Sequence, residues 1–151
     1  MQTFKILWFD DVEENIQIHK KKLEDYCKTH DRQLVIDHKH TYDDELLYNI
    51  MDYEYSLIVS DLNLLGSEKM GNEILQLLKN KDIFTETLLY SNNSKLLIEK
   101  TEGENFIDGL HRHANLKGLL EKVQDMIQMC ICKESYYKNR QDDYEKDKVS
   151  E

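Results

Sequence analysis

Short apolar runs alternate along this chain with stretches in which apolar positions recur every three or four residues, and the alternation repeats five times. A strand buried on both faces reads as a near-continuous hydrophobic run, whereas a helix packed on one face shows the 3.6-residue period. Strands are therefore predicted at Lys5 to Phe9, Gln33 to Asp37, Ser56 to Ser60, Thr87 to Tyr90 and Phe106 to Leu110. Helices are predicted over about Glu13 to Thr29, Tyr42 to Met51, Gly71 to Asn80 and Lys95 to Lys100, with a last one starting near Asn115. Their expected inner faces are Ile16, Ile18, Leu23, Tyr26 and Cys27; Leu46, Leu47 and Ile50; Ile74, Leu75, Leu77 and Leu78; and, in the last helix, Leu116, Leu119, Leu120, Val123, Met126 and Ile127. Asp43 or Thr41 and Asn115 are suitable caps, and Ser91 to Ser94 reads as a polar turn. Strands taking turns with helices predict an α/β fold in which a parallel sheet is covered by helices.

Two of these strands end in acids: Asp10 and Asp11 follow the first, and Asp61 follows the third. A parallel sheet presents the carboxyl ends of its strands along one edge, so the three side chains are expected to converge despite their separation in sequence. Carboxylates gathered in one crevice repel each other unless a cation sits among them. An oxygen-only ligand set of this kind suits a hard ion such as Mg2+.

The chain has 151 residues, enough for one domain with a core and too few for two ordinary ones. A formal charge of -10 disfavours nucleic acid and anionic lipid as partners. No apolar stretch approaches membrane-spanning length, and the N-terminus lacks the pattern of a secretory signal, so a cytoplasmic location is expected. Three cysteines, Cys27, Cys130 and Cys132, are an odd number and are expected as free thiols. Beyond residue 132 the composition becomes charged and nearly free of aliphatic side chains. We therefore divide the chain into a folded unit, 1–132, and an extension, 133–151, which is either a solvated tail or a prolonged helix with an interaction surface. His38, His40, His111 and His113 with Cys130 and Cys132 lack the paired spacings of a structural zinc site.

Taken in order, Asp10-Asp11 after strand one, Asp61 after strand three, Ser91 after strand four and Arg112 after strand five, the sequence resembles the response-regulator receiver domain over about residues 3 to 130. That resemblance implies a doubly wound (βα)5 fold of the flavodoxin-like type, with sheet order 2-1-3-4-5 and helices on both faces. It also implies a function, a stand-alone receiver whose Asp61 accepts a phosphoryl group from a histidine kinase or phosphotransfer protein in a Mg2+-dependent reaction. Affinity for a downstream protein would then change, through the helix after strand four, strand five and the last helix. By the same resemblance Asp11 binds Mg2+ directly, Asp10 largely through water, Asp61 supplies a further oxygen and the backbone carbonyl of Asn63 completes the set. Ser91 would hydrogen-bond a phosphoryl oxygen, and Arg112 would stand where the family uses lysine.

Several positions depart from the pattern. Leu110-His111-Arg112-His113-Ala114 replaces the usual hydrophobic, lysine, proline run, and a guanidinium fork differs in shape from an ammonium. Gly109 stands where an aromatic switch residue is common, Leu65 stands where proline often does, and the loop before Gly71 is longer than usual. Two other readings therefore remain: a degenerate receiver that binds partners without phosphorylation, and a Mg2+-dependent hydrolase with Asp61 as nucleophile. The hydrolase would need an acid two residues on, where this chain has Asn63.

Overall fold

A computed structural model describes residues 1–52, 54–101 and 111–149. Five strands, β1 (Gln2–Phe9), β2 (Arg32–Lys39), β3 (Leu57–Asp61), β4 (Glu86–Ser91) and β5 (His111–Asn115), alternate with five helices. The helices are α1 (Glu14–Thr29), α2 (Glu45–Met51), α3 (Gly71–Asn80), α4 (Ser94–Thr101) and α5 (Leu119–Val149). All strand pairs are parallel, in the order β2-β1-β3-β4-β5. This is the doubly wound α/β architecture and sheet order expected from the sequence.

Successive side chains of a strand point to opposite faces, and here both faces are covered. Phe4, Ile6 and Trp8 of β1, Leu57 and Val59 of β3, and Leu88 and Tyr90 of β4 pack with Ile16, Leu23 and Cys27 of α1 and with Leu119, Val123, Met126, Ile127 and Cys130 of α5. Leu7, Phe9 and Ile58 face the other way, against Leu46 and Ile50 of α2 and Ile74 and Leu78 of α3. Each such fully buried aliphatic side chain contributes about 1.5–3 kcal/mol relative to exposure. That explains the apolar runs Ile6–Phe9 in β1, Leu57–Val59 in β3 and Leu88–Tyr90 in β4.

The inner face of α1 is narrower than expected. Ile16, Leu23 and Cys27 are buried, but Ile18 is 66% exposed. Ile18 lies about 200° around the helix from Ile16 and cannot share its face. At α2, Asp43 caps as expected, its Oδ1 accepting from the N–H groups of Glu45 at 3.0 Å and Leu46 at 3.3 Å. Asn115 does the same for a 3-10 turn at Leu116–Gly118 that leads into α5, accepting from Gly118 N–H at 2.9 Å.

The fifth strand differs most from expectation. Residues 106–110, predicted as that strand, lie outside the described residues, as do Phe106 and Gly109. The strand that pairs with β4 is His111–Asn115, and its register sets Arg112 opposite Leu88 and Asn115 opposite Ser91. Arg112 is therefore inside the strand, not after it. At the C-terminus, α5 runs unbroken for 31 residues, about 46 Å, through the boundary drawn at residue 132. Cys130 is its last residue buried among those described. The three thiols are free, and burial raises the pKa of Cys27 to about 11 and of Cys130 to about 12.

The end of β3 and the start of α3 approach so closely that only glycine fits between them. A Cβ on Gly71 would lie 2.2 Å from the carbonyl oxygen of Asp61 and 2.7 Å from Cδ1 of Leu89. Gly71 N–H donates to Leu62 O at 3.0 Å, and Glu73 accepts from Met70 N–H at 3.1 Å, which fixes the helix start beside the strand end. Gly71→Ala is expected to lower unfolding free energy by about 1–3 kcal/mol, the usual scale of overpacking, in urea titrations. An unchanged midpoint would show that α3 moves aside at no cost.

Candidate functional site

The carboxyl ends of β1 and β3 are neighbours in the sheet, and their acids meet there. One carboxylate oxygen each from Asp10, Asp11 and Asp61 lies within 4.8 Å of the others. Asp10 is fully buried, and Asp11 and Asp61 are half-buried. Among the described residues no lysine or arginine forms an ion pair with any of the three.

Each carboxylate is held in place by hydrogen bonds. Asp10 Oδ1 accepts from Val12 N–H at 2.8 Å, and its Oδ2 accepts from Asn15 Nδ2 at 3.1 Å and from the Tyr90 hydroxyl. The backbone at Asp10 is pinned as well, its N–H donating to Lys39 O and its carbonyl lying 2.7 Å from His38 Nε2. Asp11 Oδ2 accepts from Leu65 N–H at 3.2 Å, so the long loop after β3 folds back over the cluster. Asp61 Oδ1 accepts from Asn63 N–H at 3.1 Å.

Burial, together with the charges of Asp10 and Asp11, pushes the pKa of Asp61 up to about 7, despite the opposing hydrogen bond from Asn63. The cluster is thus a set of carboxylates whose negative charge the protein itself leaves largely uncompensated. Its donor chemistry is oxygen only, with no histidine or cysteine in the group, and it fits a hard divalent cation such as Mg2+.

Ser91 lies on the same edge. It is fully buried and one residue beyond Tyr90, the strand partner of Asp61. Its Oγ accepts from Asn93 N–H at 3.0 Å, which leaves the hydroxyl proton free to donate. Asn93 in turn caps α4 by accepting from Leu96 N–H at 3.0 Å. Asn63 is exposed on the loop beside Asp61.

Arg112 is not brought to this group. From the second position of β5 its guanidinium turns to the α5 side and donates to Met129 Sδ at 3.5 Å. The reason is strand alternation, which gives Arg112 a place on the α5 face of the sheet, three residues short of the edge where Asn115 meets Ser91.

Two residues at the site carried little sequence signal. Trp8 reads as core and Tyr90 as the end of the fourth strand, where it is one of two aromatics left to act if a switch survives; both are fully buried, their rings edge to face at 6.3 Å. Trp8 Nε1 donates to the Tyr90 hydroxyl at 2.9 Å, and that hydroxyl donates to Asp10. The available clue was a phenol ending an otherwise aliphatic run, since a buried hydroxyl requires a partner.

The sequence matches no protein-family model, and no curated protein matches it. Solved structures do match. A signal receiver domain of an HD domain-containing protein from Pseudomonas fluorescens aligns with a TM-score of 0.58 at 18% identity, covering 89% of this chain and 94% of that one. The chemotaxis response regulator CheY4 of Vibrio cholerae aligns at 0.55 and 20% identity, covering 83% and 99%. A response regulator receiver domain protein from Clostridium thermocellum aligns at 0.62 and 14% identity, covering 89% and 98%. The fold is that of response-regulator receiver domains. Among the described residues no helix is long and apolar enough to cross a membrane.

The raised pKa of Asp61 has a definite sign in stability. The folded state holds the Asp61 proton more tightly than the unfolded chain, where the value is near 3.8. The resulting stabilisation is complete below about pH 4 and is lost as pH rises through about 7. In chelator, the melting temperature of the wild type relative to Asp61→Asn is expected to fall by a few degrees, ~3 °C, between about pH 5 and pH 8. A constant difference across that range would mean that Asp61 is not crowded by its neighbours.

Proposed function

We propose that this chain is a phosphoacceptor signalling domain, with Asp61 the acceptor and Asp10, Asp11 and Asp61 the binding site for Mg2+. The observation that supports this reading most directly is the convergence of three oxygen donors at the strand ends of a receiver fold. In the reaction, a carboxylate oxygen of Asp61 attacks phosphorus, a P–O bond forms as the bond to the donor breaks, and the leaving group departs with the electron pair. With a phosphohistidine donor the leaving group is imidazole, which takes up a proton from solvent. The product is a mixed anhydride of Asp61.

This chain's own groups have separate parts in that step. The hydrogen bond from Asn63 N–H to Oδ1 orients the Asp61 carboxylate and leaves Oδ2 for attack. Ser91, with its hydroxyl proton unassigned, is the donor to a phosphoryl oxygen. Asp11, bound to the loop at Leu65, and the Asn63 carbonyl supply further cation ligands. When bound, Mg2+ neutralises the charge that develops on the equatorial oxygens of the transferring group. The donor is a histidine kinase or phosphotransfer protein, and the acceptor's change is read by another protein.

A second reading is favoured by one observation. With Arg112 turned onto Met129, the cation that the resemblance supplies from strand five is missing from the crevice. That arrangement suits a receiver-fold module that binds its partner without phosphorylation.

Incubation with acetyl phosphate and MgCl2, followed by intact mass, distinguishes the two. The expected result is an adduct of one phosphoryl group that Asp61→Asn abolishes and EDTA prevents. Arg112→Ala is expected to leave its yield within about twofold, since that side chain lies off the site. No adduct on a folded, Mg2+-binding protein would favour the binding module, and an adduct that survives Asp61→Asn would refute the assigned acceptor.

A further inference from the structure

We propose that Tyr90 is a positioning residue for the acidic cluster, its hydroxyl occupying Asp10 Oδ2 and so setting how tightly the cluster holds a cation. This rests on the cation-binding reading of the cluster given above. The three acids are unequally engaged. A carboxylate offers about four lone-pair directions. Asp10 has three occupied, by Val12 N–H on Oδ1 and by Asn15 Nδ2 and the Tyr90 hydroxyl on Oδ2, and it is fully buried. Asp11 and Asp61 are half-buried and, among the described residues, accept only from backbone N–H groups.

Tyr90 cannot easily withdraw. Its ring is fully buried in the layer between the sheet and α1 and α5, edge to face with Trp8. Trp8 Nε1 donates to the phenol oxygen, so the phenol proton is the one left to point outward, and Asp10 receives it. A cation that used Asp10 Oδ2 directly would have to break this line. Tyr90 therefore lowers the cation affinity of the cluster while keeping Asp10 in place as a fixed counter-charge.

Removing the hydroxyl separates these two effects. In Tyr90→Phe the ring still fills its space and Val12 and Asn15 still orient Asp10, but Oδ2 loses its strongest shield. Mg2+ titrated calorimetrically into the full chain is expected to bind Tyr90→Phe about tenfold tighter than wild type, the low end of the scale for a hydrogen bond to a charged group. The indole N–H resonance of Trp8, the single tryptophan, reports independently. It is expected to shift on Mg2+ addition in wild type and to remain fixed in Tyr90→Phe, an effect that mere loss of packing would not produce. Should Tyr90→Phe fail to fold, Asn15→Ala removes the other donor to the same oxygen from the surface side and is expected to tighten binding about twofold. Equal or weaker Mg2+ affinity in the folded variant, with wild type binding normally, would overturn the role of Tyr90 alone. Absence of Mg2+ binding in wild type would overturn the cation site and this inference together.

Discussion

Mutual repulsion among three carboxylates is the constraint around which the site is built. Two adjacent strands, β1 and β3, deliver Asp10, Asp11 and Asp61 to one edge, and no basic side chain among those described is placed to neutralise them. Backbone N–H groups hold the acids instead: Val12 at Asp10, Leu65 at Asp11 and Asn63 at Asp61. Such donors fix geometry while leaving net charge, which is the condition for binding a divalent ion or a group that arrives with one. The rest of the fold serves this placement. Gly71 lets α3 start against the carbonyl of Asp61, and the loop between them returns to Asp11.

Most of the architecture was legible because its strongest physical term, burial of apolar surface on both faces of the inner strands, writes itself as continuous hydrophobic runs. β1, β3 and β4 follow from that pattern, and so does the convergence of the three acids. β5 was not legible. Its residues, His111-Arg112-His113-Ala114-Asn115, are polar except for Ala114 and belong to an edge strand, which no apolar run marks. Reading Arg112 as following the strand put it at the sheet edge, whereas within β5 its side chain faces a helix. Ile18 failed for a simpler reason, since an apolar residue on the wrong side of α1 remains apolar and exposed. Tyr90 was hidden by its neighbours: in a buried run the ring reads as core, and only the three-dimensional position of its hydroxyl shows what it holds.

The arrangement differs from what the resemblance alone would suggest in where polar control resides. The resemblance set a basic residue, Arg112, after strand five, while Gly109 already stood where the family's aromatic partner is common. In the structure the groups that reach the acids are backbone N–H groups of the loops after β1 and β3, Asn15 of α1 and Tyr90 of β4, the last held in turn by Trp8 of β1. This moves the link between crevice and core to the layer shared with α1 and α5. The same α5 continues as a helix past Cys130, its last buried residue among those described, so a change felt by that layer lies next to the longest described element.

The central claim, that the acids at the ends of β1 and β3 form one cation site, is tested most directly by paramagnetic broadening. Substoichiometric Mn2+, which shares the preference of Mg2+ for oxygen ligands, would be added to the isotopically labelled full chain and backbone amide signals followed. The account predicts that signals from residues 10–12, 61–65 and 90–92 broaden first and together. Broadening spread over the other acidic segments, with those three stretches unaffected, would contradict it.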